Sequence, residues 1–474
     1  MKRRFLLPAL SAAALSTAGF VGSAFADCKD PFGKPNELLD FHLKIKKADW
    51  DKLLTDTIPN VDGATMVDSP ACAGKFPKYK AEFRCGTTGD WIKIGVRKKK
   101  GTERGNEVPN KPPIKLDFNE DFPDDSQPQN EAKGQRWPKE MGENGFRKIT
   151  MNNGHGNKPG APDMVPNFRA PLLLTEHMAL RLINREVPSA PQTAFAKLTV
   201  HLDGAEPGDY KGVYILAEDL DRSAIKKRFG SAAGRLIKAS TPDCSPEVQY
   251  DDSTEGGKQP TPYESTKKFK EWADENVNSK SLEDAEKALD LDALLRQEAI
   301  REILVNGNDT ITNSRAYLEW EKWGEGNNWY AFDPENGKRQ YMPWDVDLAF
   351  GNQRGACTTP TDLAKASPPP AVEGGPTPPN PTMDTYGKWQ CPPDMPITDF
   401  CNMPPKTLST PRTFSRVGLG TVCNPNVKTK YLETMCTLIN GPLSANEIIK
   451  LWDAADNTIK DAVYAERDMN YEGK

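Results

Sequence analysis

The residues most able to do chemistry are carboxylates placed where a chain normally buries apolar groups. Asp345 and Asp347 interrupt the hydrophobic run Pro343-Trp344-Asp345-Val346-Asp347-Leu348. A buried charge without a partner costs several kcal/mol, so such residues need a counter-ion, and a divalent cation is the simplest one. Upstream, Asn308-Asp309 closes an apolar stretch and Asn313 follows. Carboxylate and amide oxygens on two separate segments suit Mg²⁺ or Mn²⁺, which keep water ligands for a phosphate-bearing substrate. Asn308-Asp309 alone reads more readily as a turn or cap. On a strand, Asp345 and Asp347 share one face and Trp344, Val346 and Leu348 take the other.

The elements that position these groups follow from hydrophobic period. Leu39 to Lys46, Tyr79 to Arg84, Asp90 to Val96, Ile114 to Phe118 and Phe146 to Met151 alternate as strands. Residues 119–144 and 152–167 are polar loops. Ala170 to Asn184, with Leu173, Leu174, Met178 and Leu182, has the spacing of an amphipathic helix. The strands Ala194 to Leu202 and Gly212 to Ala217 follow, joined across Asp203-Gly204. From Thr241 to Tyr263 the chain turns polar and acidic, which sets a boundary between lobes 27–240 and 241–474. Helices are expected at 267–272, 282–289, 292–306, 428–439 and 445–466, and a proline- and glycine-rich insert at 360–381.

The first 26 residues read as a signal peptide: Lys2-Arg3-Arg4, an apolar run from Phe5 to Val21, then Ala24-Phe25-Ala26. Arg3-Arg4 is also a partial twin-arginine pattern. Asp27 before Cys28 spoils a lipid-attachment site, so a free periplasmic or secreted protein without a membrane anchor is expected. Removing the three basic residues of the leader from 62 leaves 59 Lys and Arg against 67 acids, which argues against a nucleic-acid partner. Nine cysteines outside the cytoplasm point to disulfides. Local pairs such as Cys72 with Cys85, Cys391 with Cys401 and Cys423 with Cys436 are easy to close, although connectivity does not follow from sequence.

Taken in order, the segments Val96-Arg97 to Phe118, Arg169, Gly212-Val213-Tyr214-Ile215-Leu216-Ala217-Glu218, Leu236-Ile237-Lys238, Asn308-Asp309 with Asn313, and Pro343-Trp344-Asp345-Val346-Asp347 resemble the CotH kinase family of atypical, secreted protein-kinase-like proteins. The resemblance implies an α+β, bilobed kinase-like fold, with a sheet-rich N-terminal lobe and a mostly helical C-terminal lobe. It implies ATP with Mg²⁺ or Mn²⁺ as cofactors and hydroxyls of a secreted or surface protein as acceptors. On it, Asp309 is the catalytic aspartate, and Asn313 and Asp345 are metal ligands. Asp347 is a second ligand or a support for one.

Two assignments stay open. The phosphate-binding lysine is either Lys148, paired with Glu176 in the order of strand lysine and helix glutamate, or Lys238. Glu218 either lies where a hinge passes adenine or pairs with an arginine such as Arg169. An alternative to phosphotransfer is a non-catalytic surface or matrix protein that binds through its loops, since ATP is scarce outside the cytoplasm. Nucleotidyl transfer from the same site is a third reading. Four histidines and no Gly-x-Ser-x-Gly give no support to a serine hydrolase.

Overall fold

The computed structural model describes residues 28–56, 76–99, 111–118, 135–154, 169–239, 247–252, 282–304, 329–346, 349 and 425–471. The leader, the 360–381 insert and the expected 267–272 helix lie outside them.

The first part is a closed seven-stranded barrel. In chain order its strands are β1 (Leu38–Ile45), β2 (Tyr79–Cys85), β3 (Ile92–Lys98), β4 (Ile114–Asp117), β5 (Lys148–Asn152), β6 (Thr193–Leu202) and β7 (Asp209–Glu218). Around the barrel they run β1-β2-β3-β4-β5-β7-β6, and closure comes from β1 lying parallel to β6. The period-two pattern explains the interior. Phe41, Leu43, Phe83, Ile94, Val96, Leu116, Ile149, Met151, Leu198 and Leu216 form one buried cluster around Trp137. Full burial of each large side chain contributes roughly 1.5–3 kcal/mol. Helix α1 (Lys47–Thr55) turns Trp50 and Leu53 inward.

Helix α2 (Arg169–Glu186) crosses between β5 and β6. It extends two residues beyond the periodic stretch, and its stripe of Leu173, Leu174, Met178, Leu182 and Ile183 enters a second core. Helix α3 (Arg222–Phe229) carries its own start and stop. Asp221 accepts from the Ser223 and Ala224 amides at 2.8 and 3.1 Å, and Gly230 takes the left-handed φ of 78° that ends it.

A second, four-stranded sheet has the order β11-β10-β8-β9, with β8 (Gly234–Ala239), β9 (Glu247–Asp251), β10 (Trp329–Pro334) and β11 (Gln340–Pro343). Strand β9 lies inside the stretch read from composition as turns. It is an edge strand of five residues, too short and too polar to show a period. The composition break near 240 therefore falls within a sheet, between two paired strands. Helices α4 (Leu282–Ala288), α5 (Leu291–Ile303), α6 (Pro425–Ile439) and α7 (Ala445–Tyr471) complete the described chain. None of the described helices is long and apolar enough to cross a membrane.

Cysteine pairing departs from the local expectation. Cys85 bonds Cys28, not Cys72, and their Cα atoms are 6.1 Å apart. Antiparallel pairing sets Phe41 opposite Cys85, so the end of β2 meets the segment leading into β1. Sequence distance hid this, because register and not spacing brings the two sulfurs together. Cys72, Cys391, Cys401 and Cys423 lie outside the described residues, so the pairs expected for them are not described.

Candidate active site

Three elements remote in sequence meet at one cluster of charge. Lys99, just past the end of β3, donates from Nζ to Asp345 Oδ1 at 2.9 Å. Glu176, in the second turn of α2, lies in the field of both, attracted by Lys99 and repelled by Asp345. Asn152 at the end of β5 holds it, donating from Nδ2 to Glu176 Oε1 at 2.6 Å. Burial pushes the Glu176 carboxyl up to about 7, and the Asp345 charge adds to that; Lys99 and the Asn152 bond oppose it. The arrangement holds a carboxyl that changes charge near neutrality beside a fixed ion pair.

Asp345 is the only one of the three with appreciable solvent access, 24% of its side chain against 7% for Lys99. Strand β11 ends at Pro343, so the strand parity expected for Asp345 does not apply. The alternation of burial survives without it. Trp344 and Val346 are buried, and Asp345 takes a φ of 52°, a left-handed conformation that Asp tolerates better than most residues. This turn presents the carboxylate to Lys99 while Trp344 packs edge-on against Tyr330 at 5.5 Å.

A second group of charges adjoins the first across Trp344. The ammonium groups of Lys238, Lys99 and Lys115 lie 4.3, 5.9 and 5.9 Å from its ring, and Lys238 is also 4.9 Å from Tyr330. Lys115 on β4 reaches both oxygens of Asp219 at 2.8 and 3.0 Å. Burial alone would raise the Asp219 carboxyl, but Lys115, then Lys238 and Lys148, hold it well below the usual carboxylate range. Burial depresses the Lys115 ammonium, with Arg97 and Lys148 adding to it and Asp219 opposing. Lys148 lies 3.9 Å from Asp117, whose nearer partner is Lys78 at 3.0 Å.

Of the residues selected from sequence, Glu176 and Asp345 thus fall in one charge cluster with Lys99, and Lys238 adjoins it over Trp344. Lys148 borders it through Asp219 and Asp117, and the cation in the field of Glu176 is Lys99. Glu218 is fully buried and paired with Arg228 of α3, and its Oε2 accepts from the Gln192 amide at 3.1 Å. Its arginine partner is seven residues beyond the Asp221 cap, in the last turn of α3, so α3 supplies it. Asp309, Asn313 and Asp347, and the Arg169 side chain, lie outside the described residues. Asn152 and Asp219 were not singled out from sequence, and Asp219 follows immediately on the more conspicuous Glu218. Lys115 belongs to the Val96-Arg97 to Phe118 segment of the family resemblance, and Lys99 to the basic run Arg97 to Lys100, which reads as a solvated strand end or, as the alternative, an anion-binding cluster.

The described residues form a largely buried, cation-rich cluster with one partly accessible carboxylate. Lys99 meets Asp345, Lys115 meets Asp219, and Lys78 and Lys148 meet Asp117, with Lys238 in the field of Asp219; ammonium groups of this kind are able to contact phosphate oxygens. Asp345 is a hard-oxygen donor fit for Mg²⁺ or Mn²⁺. No group of three or more His, Cys, Asp or Glu among the described residues forms a metal cluster. Residues 165–393 match the family model described as CotH kinase protein. No curated protein matches the chain. The match takes in Glu176, Glu218, Lys238 and Asp345 but begins after Lys99, Lys115 and Lys148, so those lysines are placed by geometry alone.

Proposed function

We propose, on the premise that residues 165–393 are a CotH-family segment, that this chain is a kinase-like phosphotransferase. It would be exported by residues 1–26 and would act on hydroxyls of a secreted or surface protein in the periplasm or outside the cell. The observation that carries the reading is the meeting of Lys99, Glu176 and Asp345, from β3, α2 and the β11 end. Phosphoryl transfer asks a protein mainly for positioning and charge: a lysine on the phosphates, a glutamate that orients it, and an aspartate on the metal. In this reading the barrel and α2 form the sheet-rich lobe and the remainder the helical lobe of a bilobed kinase-like fold.

Lys99 would hold the phosphates of ATP, with Glu176 orienting it and Lys238 adding charge from the floor over Trp344. Asp345 would bind Mg²⁺ or Mn²⁺ together with Asn313 and, directly or through water, Asp347. The metal would neutralise charge on the phosphates. Asp309 would orient the acceptor hydroxyl and take its proton. Glu218, bonded to Arg228 and the Gln192 amide, would brace the segment after β7, and Asp219 would fix Lys115 in the cluster.

Label transfer from γ-labelled ATP tests this, in Mg²⁺ and in Mn²⁺, with the wild type beside Asp345→Ala. Metal-dependent transfer that disappears in the variant is expected. Absence of transfer, together with absence of any metal-dependent thermal shift by ATP analogues, would leave a non-catalytic surface binding protein.

A further inference from the structure

The polar side chains that hold Glu176 do not end at Asn152. The next residue, Asn153, donates from Nδ2 to the Lys111 carbonyl at 2.7 Å. The Lys111 ammonium in turn meets both oxygens of Glu466 at 2.9 Å. Glu466 belongs to α7, near the far end of the chain, and its Oε2 also accepts from the Val213 amide of β7 at 3.1 Å. Asn152, Asn153, Lys111, Glu176 and Glu466 are all at most 4% exposed. Buried ionic groups with this many partners resist rearrangement, because breaking one link strands a charge.

The backbone is shaped around this contact. Gly212 has φ of 102°, and a Cβ there would lie 2.2 Å from Glu466 Oε2, so the strand comes as close to the carboxylate as only glycine allows. One turn earlier on the helix, the Ala462 carbonyl accepts from the Tyr210 hydroxyl at 3.0 Å. Helix α7 also packs against α2, the helix that carries Glu176. It therefore reaches Glu176 twice, through apolar packing on α2 and through the polar chain on β5.

We propose that Glu466 is a positioning residue: through Lys111 and the Asn152-Asn153 pair, the C-terminal helix sets where Glu176 stands relative to Lys99 and Asp345. The proposal rests on the reading of these three as a nucleotide site. Its physical content is coupling between a remote helix and the charge cluster, carried by hydrogen bonds that are joined through Lys111 itself and the Asn152-Asn153 backbone.

The test uses the full chain with Lys111→Met/Glu466→Gln, which removes the ion pair, leaves no unpaired buried charge and keeps an acceptor for the Val213 amide. Glu466→Gln alone is a second variant. Hydrogen exchange without nucleotide is the first readout. Exchange is expected to accelerate at residues 150–153 and 173–180 while β2 and β3 keep their protection; a general loss of stability would move all of them. The dissociation constant of a non-hydrolysable ATP analogue with Mg²⁺ is the second. It should weaken about ten-fold, and this loss should vanish when Glu176→Gln is already present. Unchanged local exchange in the double variant, or exchange raised equally in β2 and β3, overturns the proposal. If local exchange rises but the wild type binds no nucleotide, the coupling stands and the phosphotransfer reading falls.

Discussion

Lys99 and Asp345 are separated by 246 residues and joined by a 2.9 Å ion pair, formed where the end of β3 faces the turn after β11. With Glu176 in the field of both, they form one charge cluster. Lys99→Met is expected to remove a phosphate contact without unfolding the chain, because Asp345 keeps solvent access. Phosphotransfer should fall by on the order of 10²–10³, the loss typical of one lost electrostatic contact to the transition state. Steady-state rates with ATP as the varied substrate check this.

The two competing lysines separate by substitution. Lys238 is buried over Trp344 and Tyr330, whereas Lys148 is more than a third exposed beside Asp117. Lys238→Ala should weaken ATP-analogue binding by about ten-fold or more, and Lys148→Ala by only a few-fold, since an exposed ion pair contributes about 1 kcal/mol or less. Calorimetric titration of both variants distinguishes them, and equal losses would contradict the different roles given to the two lysines.

Glu176 and Asp219 give stability opposite dependences on pH. The folded-state value of Glu176 is raised from 4.5 to about 7, so the folded state binds the extra proton and stability falls as pH rises from about 4.5 to 7. That group's full range is roughly 3 kcal/mol, and Glu176→Gln should remove the slope. Asp219 is depressed, so its contribution is present above the ordinary Asp value and is lost as pH falls below it. Denaturant unfolding across pH 3 to 8, for wild type and Glu176→Gln, reads both.

Gly212→Ala should destabilise the chain by at least about 2 kcal/mol, because it adds a left-handed non-glycine residue and drives a Cβ into Glu466. Urea denaturation measures the loss. An alanine variant as stable as wild type would show that β7 and α7 are less closely apposed.

Reduction of Cys28–Cys85 should cost about 2–4 kcal/mol, the usual range for a bridge closing a loop of this order. Thermal unfolding of Cys28→Ser/Cys85→Ser beside the oxidised wild type tests it, and a lower midpoint in the variant is expected.

The strands β1 to β7 and helix α2 were legible in the sequence because each announces itself locally, by alternation or by a stripe. Asp345 was legible too, since a carboxylate between Trp344 and Val346 needs a reason to be there, and Glu176 stood out as the acid of a helix on the family's pattern. Lys99 was legible only as a member of a basic run, because nothing local tells that the Lys98 ammonium bonds the Leu54 and Asp56 carbonyls while that of Lys99 meets Asp345. Strand β9 was too short and polar to show a period. The partner of Cys85 and the arginine on Glu218 depended on strand register and on where α3 sets down Arg228. The sequence by itself determined which segments become strands and helices and which acid stands in apolar company, because those follow from neighbours along the chain. Only the tertiary structure decided that Lys99, Glu176 and Asp345 share one charge cluster, and that Glu466 is tied to it, because charge pairing depends on distances in space that barrel closure creates.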